Sequence, residues 1–172
     1  MSTSSRVLRI LRRPLDRRRR ETAERLSRSL PTREYFDDRW NRAETIGFGD
    51  SDSIYDSSLV LEDVKVRSHT WIGPFVVLDG SGGLQIGQNC STSGGVQIYT
   101  HNIVRWATSG GRNDSERAPT VVGSNVYVGP NSVIAMGVSI GDGAVIGANS
   151  FVNSDVPANC RAWGNPCQIQ SS

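Results

Sequence analysis

The chain has 172 residues, 37% of them hydrophobic and 21% charged, with 18 glycines and aromatics at 7%. That is enough for one domain with a sizeable core, and it excludes a disordered chain. No apolar run approaches ~18 residues, which excludes a membrane-spanning helix.

Charge divides the chain in two. Residues 1–45 hold 13 Arg against 7 Asp and Glu, a net of +6; residues 46–172 hold 6 Lys and Arg against 10 acids, a net of −4. We therefore read 1–45 as an Arg-rich helical N-terminal segment and 46–172 as the main domain. The basic start has no long apolar core behind it, so no secretory signal is read there. Cys90, Cys160 and Cys167 make an odd count with no CxxC pair. A disulfide framework and a cysteine zinc site are disfavoured, and a reducing, cytoplasmic setting is expected.

From Arg6 to Ser29 there is no glycine, and Val7, Leu8, Leu11 and Leu15 recur at helical spacing among Arg12, Arg13 and Arg17–Arg20. Pro14 is expected to bend or start a helix. A second helix is expected over Thr32–Ala43, after Pro31 and with Thr32 as its N-cap. The plain reading is a frayed tail and a helix packed on the main domain. A weak contact with an anionic membrane surface comes second. No nucleic-acid partner is expected, because no aromatic residues interleave with the arginines of 6–30.

The rest of the chain repeats every six residues. Val122, Val128, Ile134, Ile140, Ile146 and Val152 are in strict register. The same register runs upstream through Ile54, Val60, Val66, Ile72 and Leu78, slips by two residues at Gly82-Gly83, and resumes at Ile86, Thr92 and Ile98. Glycine follows the key residue at Gly73, Gly87, Gly123, Gly129, Gly141 and Gly147. Each hexad reads as one short strand and one tight corner. Its aliphatic residue points inward, and the corner uses Gly, Asn or Asp for backbone freedom. No hexad can bury its own face, so only stacking of coils as parallel strands at ~4.8 Å makes a core.

The stretch Ile54–Ile169 resembles the hexapeptide-repeat acyltransferase superfamily. The motifs that carry the resemblance are Ile98-Tyr99-Thr100-His101-Asn102, Asn125-Val126-Tyr127-Val128-Gly129-Pro130, Ile146-Gly147-Ala148-Asn149-Ser150 and Gly164-Asn165-Pro166. It is similar to sugar O-acetyltransferases of the maltose and galactoside group and to those of surface-polysaccharide biosynthesis. The resemblance implies an all-β fold, a left-handed parallel β-helix, here preceded by the short basic α-helical segment. It also implies a homotrimer, acetyl-CoA as acyl donor, and transfer to a saccharide or nucleotide-linked sugar. An amino-sugar nitrogen is the rival acceptor, and a non-catalytic β-helix scaffold the rival from another class.

Between Ile98 and Val122 the repeat is interrupted by a polar loop, 101–119, with Gly110-Gly111 in its middle. Long loops thrown out from a regular scaffold are usually functional. His101 stands at its base. The resemblance makes it the general base that takes the acceptor's proton, a task suited to an imidazole of pKa ~6.5. Its other ring nitrogen needs an orienter. Glu116 is the first choice; Asp114, Asp79 at a corner one coil earlier, and a backbone carbonyl remain open. Arg105 and Arg112 could hold a phosphate or carboxylate, and Asp79 is counted with them as an acceptor contact. Trp106 would stack on a sugar ring or anchor the loop on a neighbouring subunit. His69 reads as a surface or packing residue. With two histidines in the chain, a three-histidine zinc site is not expected, and no metal is assigned.

By resemblance, Ala135, Gly137, Ala148 and Asn153 line the acetyl-CoA groove, and Trp163, Gly164 and Asn165 close on its adenine end. The sequence departs from the pattern at Pro130, which lacks the N–H that an oxyanion donor there would supply. The tail Cys167-Gln168-Ile169-Gln170 also lacks the arginines that relatives direct at the CoA phosphates.

Overall fold

The computed structural model describes residues 3–170, without the side chains of Thr3, Ser4, Ser5, Arg6, Leu8, Arg9, Leu11 and Leu26, so that part of the expected apolar face lies outside the described residues. From Ser53 onward the chain winds as a parallel β-solenoid, consistent with the left-handed β-helix expected. Ile54 pairs with Ile72, 18 residues on, and Val128 with Ile146, again 18 residues on. Three hexads therefore make one coil and three faces.

The first face stacks Ile54, Ile72, Thr92, Val128, Ile146 and Ala162. The second stacks Val60, Leu78, Ile98, Ile134 and Val152. The third stacks Val66, Ile86, Val122, Ile140 and Val156. All six register residues from Val122 to Val152 are buried. β-branched side chains suit these positions because each stacks on its like in the next coil. Thr92 and Thr120 replace aliphatics at inward sites, and their hydroxyls are satisfied by the carbonyls of Trp71 and Tyr99. Asn125, Asn131 and Asn149 take positive φ at corners, which asparagine tolerates better than most residues.

A solenoid needs lids on its open ends. Helix α1 spans Thr3–Leu26, a 3-10 turn spans Thr32–Tyr35, and α2 spans Arg39–Thr45. At the N-terminal end α2 buries Ala43 against the first coil. Arg42 donates to the carbonyls of Tyr55 and Ser58, and Glu34 accepts the Asp56 N–H at 2.6 Å. At the C-terminal end, Gln168–Ile169 folds back antiparallel on Arg161–Trp163 and buries Cys167.

One helix expectation is corrected, and of the two readings of Pro14 the helix start is excluded. Helix α1 runs through Pro14 without starting there; the proline forgoes one hydrogen bond at an exposed turn, where water can serve the freed carbonyl. The expected helix over Thr32–Ala43 is broken at Phe36–Asp38. Thr32 caps nothing, whereas the Asp38 carboxylate accepts from the N–H groups of Trp40 and Asn41 and starts a new helix.

Candidate active site

Two insertions meet at the corner that follows the second face. Val60 pairs with Leu78 and Val66 with Ile86, so the second coil has two residues more than the first, taken up as a bulge beyond Glu62. Those residues lie in Asp79-Gly80-Ser81-Gly82-Gly83. Gly82 is required here, because a Cβ on it would collide with the Thr100 carbonyl. One coil later the longer insertion leaves the solenoid as a hairpin. His101 pairs with Arg117 and Asn102 with Glu116, and α3, Val104–Thr108, forms its tip.

Leu78 stacks on Ile98, which brings Asp79 beside Tyr99 and Thr100. Asp79 is 1% exposed. Its Oδ2 lies 2.7 Å from His101 Nδ1, and it accepts the Thr100 N–H at 2.7 Å and the Thr100 hydroxyl at 3.1 Å. Its Oδ1 accepts the Ser81 N–H at 3.1 Å. Burial alone would raise the carboxyl's pKa, but hydrogen bonds from Thr100, His101 and Ser81 hold it well below the usual carboxylate range. An ionised carboxylate only accepts, so His101 Nδ1 carries a hydrogen, and in the neutral ring Nε2 is the nitrogen that has the lone pair. The imidazole is one-third exposed, and the Tyr99 ring meets it edge-on at 6.2 Å. Beside it is an open depression of about 520 Å³, walled by Val60, Leu61, Glu62, Asp79, Ser81, Ile103, Ser115 and Arg117. The Ser81 Oγ is buried there without a hydrogen-bond partner.

Glu116 does not orient His101. Its Oε1 pairs with Arg105 Nε at 3.2 Å, because as the hairpin partner of Asn102 it stands one residue from the pairing partner of His101. Asp114 makes no bond to the ring either; the buried Asp79 has the position. Asp79 is in turn no free acceptor contact, since its oxygens are spent on Thr100, Ser81 and His101. Arg112 donates to the Ser109 carbonyl within the hairpin, and Trp106 is half exposed. Neither they nor Arg105 wall the depression. Sequence reasoning passed over Thr100 and Ser81 as site residues and undervalued Asp79; Arg117 stands in the sequence as one of the loop arginines suited to a phosphate or carboxylate. His69 is exposed at a corner and donates its N–H to the Asp50 carbonyl.

The residues carried over for the donor groove fall on two corners. Ala135, Gly137 and Asn153 follow the second face, in the same column as His101, with the Ala135 N–H bonded to the Val152 carbonyl and the Gly137 N–H to the Thr120 hydroxyl. Ala148, Trp163, Gly164 and Asn165 follow the first face. The second face, with Leu59, Val77, Val133 and Phe151 turned outward, lies between them. Among the described residues no group of three or more His, Cys, Asp or Glu is placed to hold a metal ion, and no helix is long and apolar enough to cross a membrane.

Comparison with known proteins agrees with this architecture. Residues 119–154 match the bacterial transferase hexapeptide family (six repeats). Galactoside O-acetyltransferase of Escherichia coli is 49% identical over 51 residues, 30% of this chain and 25% of that protein. Serine acetyltransferase of Buchnera aphidicola is 31% identical over 121 residues, 69% of this chain and 43% of that protein. The chain thus spans a quarter to under half of the length of these two relatives. Among solved structures, a hexapeptide-repeat acetyltransferase of Vibrio cholerae in complex with acetyl-CoA superposes with a TM-score of 0.64 at 27% identity, covering 100% of this chain and 92% of that one. A variant of an N-acyltransferase from Bacillus cereus, with dTDP and coenzyme A, gives a TM-score of 0.67 at 19% identity, over 73% of this chain and 72% of that one. In its repeat, and in its likeness over the full length to an acetyltransferase built the same way, the chain is a hexapeptide-repeat protein.

Proposed function

We propose that the chain is an acetyl-CoA-dependent O-acetyltransferase acting by direct transfer on a hydroxyl of a saccharide or nucleotide-linked sugar. The buried Asp79–His101 couple at the mouth of the depression carries this reading. His101 Nε2 takes the proton of the acceptor hydroxyl, and the oxygen attacks the thioester carbonyl. The C–S bond then breaks, and the imidazolium returns the proton to the departing thiolate. Asp79 holds the tautomer and stabilises the imidazolium while it exists.

A covalent route through cysteine has no support. Cys90 and Cys167 are buried and burial pushes their thiols up, the opposite of an activated nucleophile. The donor contacts divide as the two corners do. Trp163, 48% exposed, offers a face for adenine beside Ala148, Gly164 and Asn165. Ala135, Gly137 and Asn153 leave room for a chain that runs toward His101.

The two corners flank an apolar face, and such a face needs covering. A threefold homo-oligomer would cover it and bring one protomer's Trp163 corner near another's His101 corner. Light scattering should then give a trimeric mass, and Phe151→Glu should lower it. A monomeric wild-type mass would remove the shared groove.

The function is tested with the full chain, acetyl-CoA and a panel of hydroxyl and amino sugars, following thiol release and product mass. O-acetylated product, lost in His101→Ala, is expected. Product on nitrogen would change the acceptor. No turnover and no CoA binding would leave a scaffold.

A further inference from the structure

The outer side of the first face carries a row of side chains that the mechanism does not use. Ser53, Trp71, Ser91, Tyr127, Val145 and Arg161 are successive pairing partners there, each next to an inward residue and so turned outward. The two rings stand on alternate strands with a serine between them, and Arg161 follows Tyr127 by the same interval. At ~4.8 Å per strand, Trp71, Tyr127 and Arg161 are ~10 Å apart along the solenoid axis. Tyr127 is 42% exposed, Arg161 is exposed, and Trp71 is half-buried, with Tyr55 edge-on to it at 6.2 Å. Hydroxyls lie among the rings: Ser91 is partly exposed, and the Ser93 hydroxyl meets that of Tyr127 at 3.3 Å.

Charge marks the same face. None of the outward positions beside its stacked residues is Asp or Glu, although residues 46–172 carry a net of −4. A cation stands at each end. Arg161 closes the row, and at the other end Arg39 lies over the Trp40 and Tyr55 rings, at 4.1 and 5.2 Å. Among the described residues neither arginine has a carboxylate partner.

We propose that this row docks an acidic oligosaccharide, a β-linked chain with a uronate carboxylate on alternate sugars. In such a chain, drawn out, every second sugar turns the same ring face to one side, and two sugars span about two strand spacings, ~10 Å. Trp71 and Tyr127 stack on successive like sugars, Arg161 pairs with a carboxylate, and Ser91 and Ser93 meet hydroxyls between the rings. Nucleic acid is the poorer fit. It carries a phosphate on every unit, and the acidic solenoid would repel it more than a chain with a charge on every second unit. A second copy of the chain is also poorer, because it would bring two arginine-bearing, carboxylate-free faces together. The row lies on a different face from the His101 depression. What it serves rests on the acetyl-transfer reading, in which it keeps a polymeric acceptor on the protein; whether it binds does not.

The test is calorimetry of the full chain, without acetyl-CoA, against a hyaluronan octasaccharide and the same octasaccharide with its carboxylates reduced to alcohols. The native octasaccharide should bind, and more weakly as salt rises. The reduced form should bind about fivefold more weakly, and Arg161→Gln should weaken the native form by about the same factor while leaving the reduced form unchanged. Tyr127→Ala should weaken both by about fivefold to tenfold, whereas Tyr127→Phe, which keeps the ring, should stay within about twofold. An unchanged Tm checks that each variant folds. Four results would each overturn the proposal: no binding of the native octasaccharide, binding unaltered in Tyr127→Ala and Arg161→Gln, tighter binding of an oligothymidylate of similar length, or a fall in oligomeric mass in Tyr127→Ala, which would assign the face to a second copy. Because no donor is present, a protein that fails to turn over can still bind the glycan, and one that fails to bind it can still acetylate a small acceptor.

Discussion

The coils from Val122 to Val152 and the coil from Leu78 to His101 use the same six-residue unit. In the first, every residue of the six-residue register is aliphatic, every step is six, and every corner is a short turn. In the second, two residues are inserted after Leu78 and a hairpin leaves after Ile98. The regular coils place no candidate catalytic side chain; on the proposed reading their corners only line the path of the donor. The irregular coil buries a carboxylate, Asp79, and sets a histidine on it, His101. The periodic unit supplies rigidity, and the departures from it aim side chains at a ligand. Substitutions in the two regions should therefore fail in different ways: loss of rate in one, loss of stability in the other.

The largest expected effect on rate is that of His101→Ala. Removing a positioned base should lower kcat by roughly 10²–10⁴-fold. CoA affinity, measured by calorimetry, should stay within about threefold, because the donor contacts lie along the late coils. A one-third exposed ring leaves a gap that water fills, so Tm should hold. An unchanged kcat would remove the base from the mechanism.

Asp79→Asn should rival it, at up to roughly 10⁴-fold in kcat, because an amide in place of the carboxylate can fix the wrong tautomer of the imidazole. It has a second readout. The carboxyl's pKa is depressed in the folded state, so its contribution to stability is present above the unfolded value of ~3.9 and is lost as pH falls below it. Wild-type Tm should drop more steeply than that of Asp79→Asn when pH is lowered through that window. Equal slopes would mean that the couple is not ionised as described.

Ile134→Ala belongs to the regular region. Ile134 is fully buried, with Ile98 and Val152 on either side of it in the stack. The truncation should cost about 2–5 kcal/mol by denaturant melt. Activity per folded molecule should be nearly unchanged, because the cavity is inside the solenoid. A large kcat loss with little change in stability would break the division between scaffold and site.

Most of this fold could be read from the chain, because a period of six leaves one way to bury the aliphatics. Thr92 shows the limit of a pure hydrophobic reading, since its inward place is legible only from its neighbours' register. The site was half legible. His101 stands out as the histidine at the break in the repeat. Asp79 was underweighted because it is a loop-like Asp beside glycines, 22 residues from its partner. The clue was the stacking register: with Leu78 over Ile98, Asp79 has to fall beside Tyr99 and Thr100. Its place shortly before the loop rejoins the solenoid at Pro119 favoured Glu116, whereas coil stacking decides contact in a solenoid. The break in the helix before α2 turned on a single cap, Asp38, that competed with Thr32 and won by bonding two N–H groups.

The smallest expected effect is also the sharpest control, Glu116→Gln. Its pairing with Arg105 joins a side chain 71% exposed to one 34% exposed, and exposed pairs of this kind contribute about 0–1 kcal/mol. The hairpin keeps its backbone pairing of Asn102 with Glu116 whichever side chain stands there. If Asp79 alone orients His101, the substitution should change kcat by less than about threefold and leave the pH profile in place, since the Nδ1–H still meets an ionised oxygen. Suppose instead that it costs as much as Asp79→Asn. The hairpin would then have to bend in the working assembly until Glu116 reaches the imidazole, and the double variant would show how the load is shared. Losses that multiply would mean two independent roles, and a double loss no greater than either single would mean one shared proton path. Asp79 has no such freedom, being held by Thr100 and Ser81 on a coil of the solenoid, which is why the comparison turns on the movable carboxylate and not on the fixed one.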